Sequence, residues 1–90
     1  MRIRITKSAR RFGYLIWNGR LDEDIKRLVE GNNEFEVSIN NISLGTKRVD
    51  WGYHRIYIGT KITQGLASDQ IYCQLVFRNG RLDIATDGGC

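Results

Sequence analysis

The segment that decides the architecture spans residues 21–31 and reads Leu-Asp-Glu-Asp-Ile-Lys-Arg-Leu-Val-Glu-Gly. Its four apolar residues share one face of an α-helix, since they are spaced by helical turns: Leu21, Ile25, Leu28 and Val29. Asp22 is predicted to cap the N-terminus, and Gly31 to follow the C-terminus. No other segment has helical periodicity, so we expect one amphipathic helix at about 22–30, covered by a sheet.

The rest of the chain alternates apolar and polar residues with a period of two, as half-buried β-strands do. Residues 7–11 form a polar connection, and residues 59–69 form an irregular stretch whose Ile62 and Leu66 can pack against a barrel end, with a helical turn as one option. The predicted strands cover residues 1–6, 12–17, 34–39, 42–49, 53–58, 70–77 and 81–86.

Two dipeptides predict tight β-hairpins, Asn40-Asn41 and Asn79-Gly80, because both favour positive φ. A two-residue loop in the first hairpin pairs Ile39 with Ile42, Val37 with Leu44, and Phe35 with Thr46. The same loop in the second pairs Phe77 with Leu82, Leu75 with Ile84, and Cys73 with Thr86. Gly45 can mark a bulge.

These elements predict a single α+β domain over residues 1–90. Six or seven short antiparallel strands form a strongly curled sheet or a small, partly open barrel of the SH3 or OB kind. The helix covers one end of it, and the strand order is left open.

The positive charge is concentrated at one end of the chain. The formal net charge is +4, and the first eleven residues contain five basic side chains and no acid. The remainder has nine basic and ten acidic residues, so its own net charge is −1. A local basic patch steers an anionic partner, whereas a diffuse excess does not.

The residue inventory argues against an enzyme. His54 is the single histidine, and no nucleophile–base arrangement or Gly-rich phosphate loop accompanies it. Cys73 lies in a predicted strand and Cys90 ends the sequence, a pair that predicts neither a metal site nor a disulfide framework. We therefore expect no cofactor, no metal and no membrane partner, and a reducing cytoplasm.

Basic residues close to aromatic residues suit single-stranded nucleic acid, whose phosphates are neutralised while its bases stack. Equally, sheets often carry such residues on solvated faces, and a charged edge strand can serve only to block aggregation. The candidate nucleic-acid-binding residues form an N-terminal group and a group around the fifth strand: Arg2, Arg4, Lys7, Arg10 and Arg11, and Lys47, Arg48, Tyr53, Arg55 and Tyr57.

The alternative is a protein-binding module or an inhibitor of a host enzyme, for example an anti-defence or anti-CRISPR protein. Trp17 and Trp51 would be its anchors if they are exposed. A homodimer could form through an edge strand, either residues 1–6 or residues 81–86.

Four runs resemble a family of short, uncharacterised small-barrel domains, in outline over residues 11–75. The runs are Arg11-Phe12-Gly13-Tyr14, Glu34 to Ile39, Gly45 to Val49, and Arg55 to Gly59. Domains of that family are carried on mobile elements and prophages of Gram-positive bacteria. The resemblance implies no site residues, but it does imply a mobile-element role in DNA handling or in inhibition of host defence.

Overall fold

Seven strands form one curled sheet in the computed structural model, which describes residues 1–66 and 72–86. The strands are β1 (Arg2–Arg4), β2 (Tyr14–Ile16), β3 (Glu34–Ile39), β4 (Ile42–Asp50), β5 (Arg55–Tyr57), β6 (Tyr72–Arg78) and β7 (Arg81–Thr86). Their order across the sheet is β1-β6-β7-β3-β4-β5-β2. The predicted small, barrel-like α+β fold is confirmed.

The described residues also form three short helices, α1 (Lys7–Phe12), α2 (Asp22–Leu28) and α3 (Thr60–Gln64). The expectation of a single helix is therefore wrong. The polar connection at residues 7–11 is the N-terminal helix, in which the Thr6 hydroxyl accepts the Ala9 N–H at 3.1 Å. Ala9 is the buried residue of that helix, so α1 has no apolar stripe that a periodicity search could detect.

The predicted amphipathic helix is confirmed as α2, but its ends differ. Asp22 is its first residue rather than its cap, since a 3₁₀ turn at Gly19–Leu21 precedes it. At the other end, Gly31 N–H donates to the Lys26 carbonyl at 2.8 Å. Glu30, with φ of 56°, therefore occupies the C′ position that was predicted for the next residue, Gly31.

Both asparagine turns are confirmed, with φ of 48° and 69° at Asn40 and Asn41. The β6–β7 register matches all three predicted pairs. In the β3–β4 hairpin only the pair Ile39–Ile42 is confirmed. A bulge at Leu44 and Gly45 adds one residue to β4, so the other two predicted pairs are wrong: Val37 faces Gly45, and Phe35 faces Lys47.

Among the described residues one strand pair, β3 with β7, is parallel, so the expectation of antiparallel pairing throughout is wrong for this pair. Asn40 fixes it, because its amide donates to the Thr86 hydroxyl at 2.9 Å and accepts the Thr86 N–H at 3.0 Å. This pairing places β7 inside the sheet, so residues 81–86 are not an edge and dimerisation through them is ruled out as an edge contact. The two edges are β1 and β2.

The core is one cluster of apolar residues between the sheet and the helices. Ile25 and Val29 of α2 are part of it, as is Cys73. In β2 the buried side chain is Leu15, and Trp17 follows it on the same side, which leaves Tyr14 and Ile16 on the outer face. Cys90 and residues 67–71 lie outside the described ranges. No helix within those ranges has the length and apolarity needed to cross a membrane.

Candidate functional site

Arg55 lies between two tyrosine rings on the outer face of the sheet. Its guanidinium carbon is 4.1 Å from the Tyr14 ring centroid and 4.7 Å from that of Tyr53. The arrangement follows from the sequence, because Ile56 is buried in β5 and its neighbours therefore point outward. Contact with two rings restricts the rotation of the Arg55 side chain.

Asp50, at the end of β4, contacts both Tyr53 and Arg55. One carboxylate oxygen accepts the Tyr53 N–H at 3.3 Å, and the other lies 3.6 Å from Nε of Arg55. Nε is inaccessible to solvent and makes no hydrogen bond. The contact between Asp50 and Arg55 is therefore one of opposite charges, and within the described part of the chain the guanidinium donates no hydrogen bond.

Tyr57 extends the same surface. It is the cross-strand partner of Tyr14, and the two rings meet edge to face with centroids 5.2 Å apart. Nζ of Lys47 lies 5.5 Å from the Tyr57 ring centroid. Tyr53 is 68% exposed and Tyr57 is 46% exposed. We call these five residues the aromatic–cationic face: Tyr14, Lys47, Tyr53, Arg55 and Tyr57.

Arg48, also predicted for this group, is directly opposite Glu34 in the β3–β4 pair. Opposite charges at facing positions attract each other, so Arg48 has less to offer a phosphate than Lys47.

Helix α1 carries three of the predicted N-terminal basic residues and connects the two sheet edges. Arg11 packs its guanidinium 5.4 Å from the Phe12 ring centroid, and Phe12 is 54% exposed. Two residues later the chain reaches Tyr14, so Arg11 and Phe12 adjoin the aromatic–cationic face in sequence. Lys7 is exposed at the start of the helix.

Arg10 has a structural role. Its guanidinium donates to the Leu66 carbonyl at 3.2 Å, and its own carbonyl accepts the buried Thr63 hydroxyl at 2.8 Å. These bonds join α1 to α3 across the open side of the barrel, so Arg10 fastens the two helices together.

Arg2 and Arg4 lie exposed on the outer face of β1, as the alternation predicted. A groove of about 400 Å³ separates them from the other sheet edge. Ile16, the cross-strand partner of Arg55, lines that groove together with both arginines. The curl of the sheet thus brings its two edge strands, β1 and β2, to either side of one groove.

The two tryptophans are not equivalent. Trp17 is only 5% exposed, and its indole N–H donates to Asp22 at 2.8 Å, so the exposure that an anchor at Trp17 required is not present. Trp51 is half-buried, meets Trp17 edge to face at 6.0 Å, and donates to Asn33 at 2.8 Å. A protein-binding surface built on both indoles therefore loses one of its anchors.

His54 lies in the β4–β5 turn with φ of 55°. Its Nδ1 is 2.9 Å from each carboxylate oxygen of Asp22. The hydrogen bond from Trp17 holds the pKa of Asp22 below its ordinary value, and the bond from His54 adds to the effect. This cluster joins the turn that contains Tyr53 to the start of α2. It therefore helps to fix the position of Tyr53 in the aromatic–cationic face.

A second polar cluster, which the sequence did not predict, occupies the outer face of β3, β7 and β6. Asp83 accepts the Ser38 hydroxyl at 2.6 Å and pairs with Arg81 at 2.9 Å and with Arg78 at 3.8 Å. The Ser38 bond first, and then Arg81, lowers the pKa of Asp83. Both arginines are thus committed to an acid of their own sheet, so this face is the less suitable one for phosphate.

Tyr14 is the residue of the aromatic–cationic face that was absent from the predicted site. Sequence reasoning left open which side of β2 faces the core, and the diagonal contact to Arg55 depends on that choice. In the described ranges, no three His, Cys, Asp or Glu side chains converge as a metal site requires.

Compared with protein-family models, curated proteins and solved structures, the chain matches none of them. The resemblance to mobile-element domains stays a prediction.

Proposed function

We propose that this protein binds single-stranded nucleic acid on the aromatic–cationic face. The observation that carries the proposal is the guanidinium of Arg55 held between Tyr14 and Tyr53, with the exposed ring of Tyr57 and the ammonium of Lys47 beside it. Sequence-tolerant binding of single strands uses these two components, rings for the bases and cations for the backbone.

The exposure of the rings favours single strands over a duplex. Tyr53 and Tyr57 present ring surface that only an unpaired base can cover, since paired bases are already stacked in a helix. The elements found in residues 1–66 and 72–86 include no long helix beside this face that could enter a major groove. The nearest helices of the described residues, α1 and α3, are six and five residues long.

The basic residues supply a path for the backbone beyond the rings. Arg11 and Phe12 end α1 just before Tyr14 in the sequence, and Arg2 and Arg4 lie across the groove that Ile16 lines. Phosphates running from Lys47 over β5 and β2 to β1 would meet Lys47, then Arg55, and then Arg4 beyond the uncharged strand β2. The N-terminal charge cluster and the Tyr53–Tyr57 strand thereby belong to one proposed surface.

The test is binding of a fluorescent oligothymidylate of about ten nucleotides, a length typical of a small barrel site, at low salt. Tyr57→Ala should weaken binding about tenfold, since one base–ring stack is lost, whereas Tyr57→Phe keeps the ring and should bind like the parent. Ile42→Ala, a truncation of another exposed apolar side chain, is the control. Equal affinity of Tyr57→Ala and the parent would refute the proposed site.

A further inference from the structure

The donor groups of Arg55 are the feature of the aromatic–cationic face that simple stacking does not use. Within residues 1–66 and 72–86, its guanidinium makes no hydrogen bond, although Nε is inaccessible to solvent. The side chain as a whole is 31% exposed, so its accessible surface lies away from Nε. A fixed, planar fork with uncommitted donors is pre-organised for a planar, two-acceptor ligand.

We infer that Arg55 reads guanine, by donating two hydrogen bonds to O6 and N7 of a guanine base stacked on the adjacent tyrosines. The inference rests on the proposed function and adds base selectivity to it. Guanine is the base whose Hoogsteen edge presents two acceptors side by side, and a bidentate arginine is its commonest partner. Adenine offers a donor at the corresponding place, and pyrimidines have no such edge.

The neighbouring rings favour a base over a phosphate as the ligand of this fork. Tyr14 underlies Arg55 at 4.1 Å, and Tyr57 meets the edge of Tyr14 at 5.2 Å. A base that lies beside the guanidinium on the exposed ring of Tyr53, whose centroid is 4.7 Å from the guanidinium carbon, brings its edge to the fork in an unpaired strand whose Hoogsteen edge is accessible. Lys47 and Arg11 stay available for the flanking phosphates as point charges.

Asp50 has a defined part in this arrangement. Its carboxylate sits at the Nε side, 3.6 Å away, and it also fixes the backbone of Tyr53. It thus restrains the guanidinium at Nε without occupying the two terminal NH₂ groups. Arg55 acts here as a specificity-determining residue, and Asp50 acts through it as a positioning residue.

The experiment compares four labelled, single-stranded thymidine oligomers of about ten nucleotides. One contains thymidine only, and in the others two adjacent central positions are guanine, 7-deazaguanine or inosine. The guanine oligomer should bind about tenfold tighter than oligothymidylate. Replacement by 7-deazaguanine, which lacks the N7 acceptor, should abolish that advantage. Inosine keeps O6 and N7 and lacks only the 2-amino group, so it should retain the advantage.

Arg55→Lys keeps the positive charge of the side chain but removes the planar pair of hydrogen-bond donors. It should lose the guanine advantage, so its affinity for the guanine oligomer should fall about tenfold more than its affinity for oligothymidylate, because the positive charge remains and the fork does not. Arg27→Lys, on the exposed face of α2, is the matched control and should keep the advantage. Thermal unfolding of each variant shows whether it is folded, and Arg55→Gln provides a second variant without the charge.

The failures are distinguishable. Salt-dependent binding of the parent with no guanine advantage overturns the inference and leaves the proposed function standing. An equal loss for all oligomers in Arg55→Lys makes Arg55 a phosphate ligand and also overturns it. No binding of any oligomer removes the proposed function and the inference together.

Discussion

The guanidinium of Arg55 stacks on the ring of Tyr14 although the two residues are not directly paired across β2 and β5. Tyr14 pairs with Tyr57, and Arg55 pairs with Ile16, so the stack is a diagonal contact at 4.1 Å. Diagonal neighbours of this kind are within reach of long and aromatic side chains. The contact joins the edge strand β2 to β5, and it makes the aromatic–cationic face one surface rather than two.

The groove between the sheet edges leads to a prediction about Arg4. Arg4→Gln should weaken oligonucleotide binding and make the salt dependence shallower by about 0.7 in slope, as expected for one lost phosphate contact on a single strand. Arg27→Gln removes an equal charge from α2, where Asp24 lies 3.8 Å away, and should change neither quantity. A salt titration of both variants measures the effect. Identical slopes for the two would remove β1 from the binding surface.

The junction of α1 and α3 depends on Gly13. Its φ is 81°, and a Cβ there would lie 2.6 Å from the backbone nitrogen of Thr60. The Gly13 carbonyl also accepts the N–H groups of Ile58 and Gly59 at 2.7 and 2.9 Å, so the backbone cannot move away. Gly13→Ala should therefore lower the free energy of unfolding by about 3 kcal/mol or more, from backbone strain and overlap combined.

Gly31 supplies the matched control for that substitution. Its φ of 75° is similar, but apart from its own chain neighbours no atom of the described residues lies within 4 Å of its would-be Cβ. Gly31→Ala should lower the free energy of unfolding by only about 1 kcal/mol, the strain of the left-handed conformation alone. Urea denaturation of both variants measures the two values. Equal losses would contradict the close approach of Gly13 to α3.

The Asp22 cluster predicts a specific acid dependence. Because the pKa of Asp22 is lowered on folding, its carboxylate stabilises the fold above the ordinary value of 3.8, and the contribution fades as the pH falls through the folded pKa. Asp22→Asn should therefore be less stable than the parent near neutral pH, and the difference should shrink in acid below 3.8. Urea denaturation from about pH 6 to about pH 2 measures it. Glu23→Gln is the neighbouring control, and a constant difference for Asp22→Asn would refute the role of its charge.

The hairpins were predictable because their turn residues settle the geometry. Asn79-Gly80 fixes a two-residue loop, and every pair of β6 and β7 then follows from it. The bulge at Gly45 was predictable as a location, but its one-residue shift was not, because sequence does not show on which side the extra residue falls. Register beyond a bulge depends on what the sheet packs against.

The parallel pairing of β3 with β7 could not be predicted, because it joins segments separated by about half of the chain. The side chain of Asn40 fixes this pairing locally, whereas the sequence pattern predicted only a turn role for Asn40. Helix α1 was missed for a different reason. Its stability comes from Thr6, from Gly13 and from bonds to α3, and not from an apolar stripe.

The candidate site was predictable in composition and not in contacts. Alternation placed Arg55 and Tyr57 on the outer face of their strand, which the structure confirms. To predict the stacking of Arg55 on Tyr14, one must know that β2 pairs with β5. To predict the burial of Trp17, one must know which face of β2 is buried. Both follow from strand order, which depends on the packing of the whole core.

The measurement that tests the central claim most directly is the affinity of the unmodified protein for oligothymidylate as a function of salt. We predict a Kd of about 1–100 µM at low salt, and a plot of log affinity against log salt with a slope of about −2 to −3, from three or four phosphate contacts. Absence of binding at low salt, or an affinity that does not change with salt, would contradict the account.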